Sequence, residues 1–89
     1  MRPVSYLPGF DKDQTRMTRR GKDVKKLIQA VLLLSRDGFL PPKYHAHKLR
    51  GEYNGYLECH IESDWLLVYR VAQEKVLLFR TGTHSDLFE

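Results

Sequence analysis

The spacing of the apolar residues changes once along this chain, at Gly51, and that change limits the fold more than any other feature. Before it, Val24, Leu27, Ile28, Val31 and Leu34 recur at the interval of one helical face. After it, apolar and polar residues alternate, as they do where successive side chains leave opposite faces of a strand. The second half predicts strands over residues 53–61, 65–71 and 75–81, joined by turns at Glu62-Ser63-Asp64 and Ala72-Gln73-Glu74. Connections that short force antiparallel neighbours, so the three strands form a meander.

The first half supplies what covers the meander. Residues 4–7 predict a short edge strand, ended by Pro8-Gly9. Residues 10–20 predict a helix with Asp11 as its cap, stopped at Gly21. A second helix runs from residue 22 or 23 to about 36, and Asp37-Gly38 ends it. Pro41-Pro42 keeps the next segment extended, and residues 43–50 form a loop carrying Tyr44, His45, His47, Lys48 and Arg50. Two helices with apolar stripes need a sheet face to bury them. The expected fold is therefore α+β: two N-terminal helices on a small twisted antiparallel sheet of about four strands, in one domain over residues 1–89.

Charge is unevenly distributed. Residues 1–50 carry 12 Lys/Arg against 4 Asp/Glu and residues 51–89 carry 3 against 7, surpluses of +8 and −4 within a net +4. A cationic half attracts polyphosphate, and salt weakens that attraction. The longest apolar run, residues 30–34, is too short to span a membrane. The N-terminus has no secretory apolar stretch, and the single Cys59 rules out an internal disulfide, so the cytoplasm is the expected setting. Neither the His-x-His of His45 and His47 nor any Gly-rich loop amounts to a metal or nucleotide site, so no cofactor is expected.

Strand alternation gathers a site. Leu57, Cys59 and Ile61 point toward the helices, so Tyr56, Glu58 and His60 point away. Arg80 does not suit a core, which sends it to the open face with His60. His84 and Phe88 follow just beyond, and the His47 loop lies nearby. A bulge would shift any of these by one position.

At this point the residues match a family. The run His60-Ile-Glu-Ser-Asp-Trp-Leu-Leu-Val-Tyr, the string Phe79-Arg-Thr-Gly-Thr-His-Ser-Asp-Leu-Phe88, and upstream Tyr44-His-Ala-His-Lys-Leu-Arg-Gly with Tyr53-Asn-Gly-Tyr-Leu-Glu-Cys resemble the YafQ branch of the RelE superfamily of bacterial toxins. The resemblance spans nearly the whole chain. It implies the toxin of a type II toxin–antitoxin pair, an endoribonuclease that cuts messenger RNA in the A site of the 70S ribosome. It also implies a cognate antitoxin, a toxin–antitoxin heterotetramer and operator DNA bound through that complex. The family's site residues fall on His47, His60, Asp64, Arg80 and His84 as catalytic groups and on Phe88 as a substrate contact. Trp65, Lys48 and Arg50 are further substrate-binding candidates, and His45 has no family role to inherit.

These residue types suit metal-free RNA cleavage. The 2′-OH attacks the scissile phosphate, giving a 2′,3′-cyclic phosphate and a 5′-OH. One group must take the 2′ proton and another must protonate the leaving oxygen, and imidazoles titrate near neutrality. Arg80 suits the charge growing on the phosphorane, and Asp64 suits the orienting of an imidazole. His84 is the favoured acid, with His60 or His47 as base. Plainer readings exist for each: a surface His60, a turn-capping Asp64, an Arg80 paired with Glu58, a Phe88 that seals the sheet. For Trp65, packing outweighs stacking. A non-enzymatic module that blocks translation or acts as a co-repressor is the competing function, and it has no need of titrating groups on one face.

Overall fold

The computed structural model describes residues 1–88. Strand β1 (Val4–Tyr6) leads into helix α1 (Pro8–Arg19) and helix α2 (Val24–Asp37). Strand β2 (His47–Lys48) lies between two 3-10 turns, Pro42–Tyr44 and Gly51–Tyr53. Strands β3 (Leu57–Glu62), β4 (Trp65–Val71) and β5 (Val76–Gly82) form the meander, and a short helix α3 (His84–Phe88) follows.

The helix boundaries follow from local chemistry. Pro8 sits in the first turn of α1, where its missing N–H costs nothing. Leu7 is the N-cap, and Asp11 lies in the first turn without capping it. Asp23 caps α2 by accepting from the Lys25 N–H, and Gly38 ends that helix at φ 83°, a conformation glycine adopts without strain. Helix α1 buries Phe10, Asp13 and Met17. Helix α2 buries Leu27, Ala30, Leu34 and Ser35, so the buried stripe keeps Leu27 and Leu34 of the expected one but is turned away from Ile28, which is half exposed.

The sheet has five strands in the order β1-β5-β4-β3-β2. β3, β4 and β5 are antiparallel as expected, but β1 runs parallel to β5, pairing Val4 with Val76 and Tyr6 with Leu78. The expected loop around His47 contributes a two-residue strand, with His47 opposite Glu58. The expected strand from residue 53 starts only at Leu57, because the chain before it turns through Gly51–Tyr53. Both helices cover one face, where Phe10, Met17, Leu27 and Leu34 meet Cys59, Trp65, Leu67, Tyr69, Val76 and Leu78. The other face carries a smaller cluster of Leu66, Val68 and Leu87, flanked by Leu49, Tyr56 and Phe79. β4 is buried on both sides from Trp65 to Tyr69 and forms the centre of the sheet.

Two bulges set the phase of the site. One falls between His60 and Glu62, after His60 has paired with Leu66, so His60 keeps its outward direction. The other falls opposite Val68 and Tyr69, which pair with Arg80 and Leu78. Simple alternation puts Arg80 on the same side as Val76 and Leu78, and both of those are core residues. The extra residue, Phe79, resets the phase and delivers Arg80 to the face of Val68.

Candidate active site

Three strands and one helix bring the expected residues to the face opposite α1 and α2. Arg80, Val68, Glu58 and His47 form one row across β5, β4, β3 and β2. His60 occupies the next outward position of β3, and His84 opens α3 immediately past β5. The His60 and His84 ring centres are 6.5 Å apart.

Each imidazole is fixed from behind through Nδ1. In His60, Nδ1 is 3.1 Å from the Ser63 carbonyl oxygen, which only accepts, so Nδ1 carries the hydrogen. In His84, Nδ1 donates to Asp64 Oδ1 at 3.2 Å, and the His84 backbone N–H donates to the same oxygen at 3.1 Å. Those two bonds hold the Asp64 carboxyl below its ordinary range, the backbone N–H contributing more. The Nε2 atoms of His60 and His84 have no hydrogen-bond partner among the described residues and are the atoms offered outward. His47 differs. Its Nδ1 faces the His45 carbonyl oxygen at 3.1 Å and its Nε2 lies 3.5 Å from Glu58 Oε1, so both nitrogens face protein acceptors.

Arg80 is anchored by Asp13 of α1, not by Glu58. Its Nε donates to Asp13 Oδ2 at 2.5 Å and its Nη2 to Oδ1 at 3.1 Å, which raises the guanidinium pKa further above its ordinary value. Helix α3 is held by a reciprocal cap. The Thr83 N–H donates to Asp86 Oδ2 at 2.9 Å, and the Asp86 N–H donates to Thr83 Oγ1 at 3.1 Å. Asp86 also accepts from Arg20 at 2.6 and 2.9 Å, a bond that, with the cap, holds its carboxyl far below the ordinary range.

Aromatic rings continue the surface away from the histidines. Phe88 lies 6.1 Å from the His84 ring and 5.5 Å from Tyr53, and Tyr53 and Tyr56 each contact Phe79 at 5.9 and 4.8 Å. At the other end the His45 ring stands edge-on to His60 at 6.1 Å. His45 adopts φ 50°, a left-handed conformation that turns its ring toward His60.

The arrangement departs from the sequence reading in several places. Trp65 does not offer a stacking face: it is 1% exposed, and its Nε1–H donates to Thr81 Oγ1 at 2.9 Å in the core. The central position of β4 puts it there, which leaves no ring face for a base to stack on. Lys48 pairs with Leu57, so it leaves β2 on the side opposite His47; Arg50 is exposed beside an open hollow that both residues line with Asn54 and Tyr56. Cys59, by contrast, lies where strand alternation put it, fully buried on the helix side, and burial pushes its thiol up to about 12, which disfavours it as a nucleophile. Among the described residues no three His, Cys, Asp or Glu side chains group as metal ligands. Asp13, His45 and Tyr53 belong to the site yet carry no signal in the sequence beyond their residue type, whereas strand alternation had already turned Glu58 to this face. Asp13 looks like any helical carboxylate until the tertiary fold buries it.

Residues 2–89 match the family model described as a bacterial toxin of type II toxin–antitoxin systems, YafQ. The mRNA interferase toxin YafQ of Escherichia coli is 36% identical over 98% of this chain and 96% of its own length. The structure of the Escherichia coli DinJ–YafQ toxin–antitoxin complex superposes with a TM-score of 0.90 at 36% identity, covering 99% of this chain and 98% of that one. A metal-bound toxin from Helicobacter pylori superposes at 0.89 with 39% identity, covering 99% and 100%. The chain belongs to the YafQ family of type II toxin–antitoxin toxins.

Proposed function

We propose that this protein, acting as one domain over residues 1–89, is an endoribonuclease that cuts messenger RNA in the ribosomal A site. By stopping translation it serves as the toxin of a type II pair in the cytoplasm. The observation that carries this reading is the pair of imidazoles 6.5 Å apart, each fixed through Nδ1 and each presenting Nε2 to the same open face. A translation blocker needs cations and shape, but has no use for two imidazoles oriented in this way.

The proton transfers follow from what stands behind each ring. His84, backed by the Asp64 carboxylate, donates a proton to the departing 5′ oxygen. His60, backed by a neutral carbonyl, takes the proton from the 2′-OH. Each positioned transfer contributes on the order of 10²–10⁴ in rate. Arg80 meets the charge that grows on the non-bridging oxygens, and Phe88, 38% exposed, stacks on a neighbouring base. His47, held between the His45 carbonyl and Glu58, orients the substrate at the rim. The proposed proton transfers use the imidazoles alone, without a metal.

An acidic antitoxin that covers this cationic protein completes the system, and the pair binds operator DNA as a heterotetramer. The test is primer extension along a defined messenger in a purified translation system containing chelator. Cuts that need ribosomes, fall within A-site codons and vanish with His84→Ala are the expected result. Stalled synthesis on an intact messenger, unchanged by His84→Ala, would leave a binding module in its place.

A further inference from the structure

The carboxylate that grips Arg80 is out of place as a stabilising device. Asp13 is 1% exposed on the face of α1 that packs against β5, among Phe10 and Met17. Replacing a buried ion pair with apolar side chains of similar size is often neutral or stabilising, so stability alone does not call for one here. Asp13 is nonetheless fully engaged. It accepts from Arg80 Nε, from Arg80 Nη2 and, at 3.2 Å, from the Thr81 backbone N–H beside the bulge. Arg16 lies 3.5 Å from it as well.

The geometry uses only one edge of the guanidinium. Nε and Nη2 form the side edge, and both bind Asp13. The end edge, Nη1 with the second hydrogen of Nη2, has no partner among the described residues, and the side chain is 31% exposed. The stem runs over the start of α1, where a Cβ on Gly9 would lie 3.7 Å from Arg80 Cδ. A phosphate takes two parallel hydrogen bonds from such an end edge, provided the guanidinium plane cannot rotate. Arg16 then links Asp13 to Asp86, 3.8 Å away, which caps the helix that carries His84. One face of α1 therefore holds both the cation and the platform of the imidazole.

We propose that Asp13 is a positioning residue of this site: it fixes the guanidinium of Arg80 so that its end edge meets the scissile phosphate. This rests on the nuclease reading above, in which Arg80 stabilises the transition state. Losing Asp13 leaves Arg80 charged and present but free to rotate toward solvent, so the loss falls on the chemical step and spares binding.

The experiment is single-turnover cleavage on saturating programmed ribosomes by wild type, Asp13→Asn, Arg80→Ala and the double variant. Thermal melting and ribosome pelleting of each accompany it. Asp13→Asn is expected to slow cleavage about 10- to 100-fold with ribosome affinity within about twofold, and to change nothing further when Arg80 is already Ala. Asp13→Leu, which leaves Arg80 to turn its 31% exposed side chain to solvent, should lose the same rate, with melting read alongside. An Asp13→Asn enzyme as fast as wild type, or one slowed equally with and without Arg80, overturns the positioning role alone. Wild type that does not cut, or Arg80→Ala that cuts like wild type, overturns the nuclease reading and this proposal with it.

Discussion

At the residue scale, partners decide what each charged group contributes. Arg80 and Asp13 form a pair whose two members are not equally replaceable. Arg80→Ala strands a buried carboxylate, and it should cost about 3–5 kcal/mol in chemical denaturation as well as activity. Asp13→Asn leaves behind only a partly exposed cation that can turn to solvent, and should cost distinctly less. Trp65→Phe should lose roughly 1–3 kcal/mol by leaving Thr81 without its donor, and its cleavage of ribosome-bound messenger should stay within about threefold of wild type. A large loss of cleavage at full stability would return Trp65 to the substrate. Asp64 lies on the surface, so Asp64→Asn should barely move the melting temperature. It should still slow cleavage about 10- to 100-fold by freeing the His84 ring. The sequence made His60, Asp64, Arg80 and His84 legible because their motifs are local strings. It hid Asp13, and it placed Glu58 on the right face but with Arg80 in place of His47, because a buried carboxylate cannot be told from a solvated one until its neighbours are known.

At the element scale, the site depends on how α3 is seated. Gly82 precedes it with φ 156°, and a Cβ there would come within 2.9 Å of Asp86 Oδ2. Gly82→Ala should therefore displace the cap and lower cleavage, while Thr83→Ala should cost about 1 kcal/mol through the lost acceptor of the Asp86 N–H. The carboxyl of Asp86 is depressed in the folded protein, so its contribution is complete above the ordinary carboxyl value of about 3.9 and is lost as pH falls toward the lower folded value. The melting temperature of wild type should exceed that of Asp86→Asn by a constant margin at neutral pH, and the margin should shrink below about pH 4. A margin independent of pH would mean the carboxylate charge does no work there. The meander and both long helices were legible from periodicity and caps. The parallel β1, the two-residue β2 and the bulge at Phe79 were not, since each is fixed by long-range pairing that leaves no local pattern. Arg80 was expected on the open face because it is charged, and it reaches that face through a bulge that alternation alone does not contain.

At the scale of the whole molecule, the chain separates attraction from chemistry. The positive surplus lies in residues 1–50, and exposed Lys12, Arg19 and Lys25 of α1 and α2 belong to it, whereas His60, Arg80 and His84 come from the acidic half. Ribosome association should weaken linearly on a log–log plot against salt, and Lys25→Ala, if that lysine meets a phosphate, should lower the slope by about one and leave the cleavage rate at saturation unchanged. A slope unmoved by every such change would place the contact elsewhere. The central claim is that the open face cuts RNA with its own imidazoles. The most direct measurement is the chemistry of the new ends, read on ribosome-bound messenger in the presence of chelator, for wild type and His84→Ala. The account predicts a 2′,3′-cyclic phosphate and a 5′-OH from wild type, with the yield reduced at least 10²-fold by His84→Ala. Ends bearing 5′-phosphate, or equal cleavage by the variant, would contradict it.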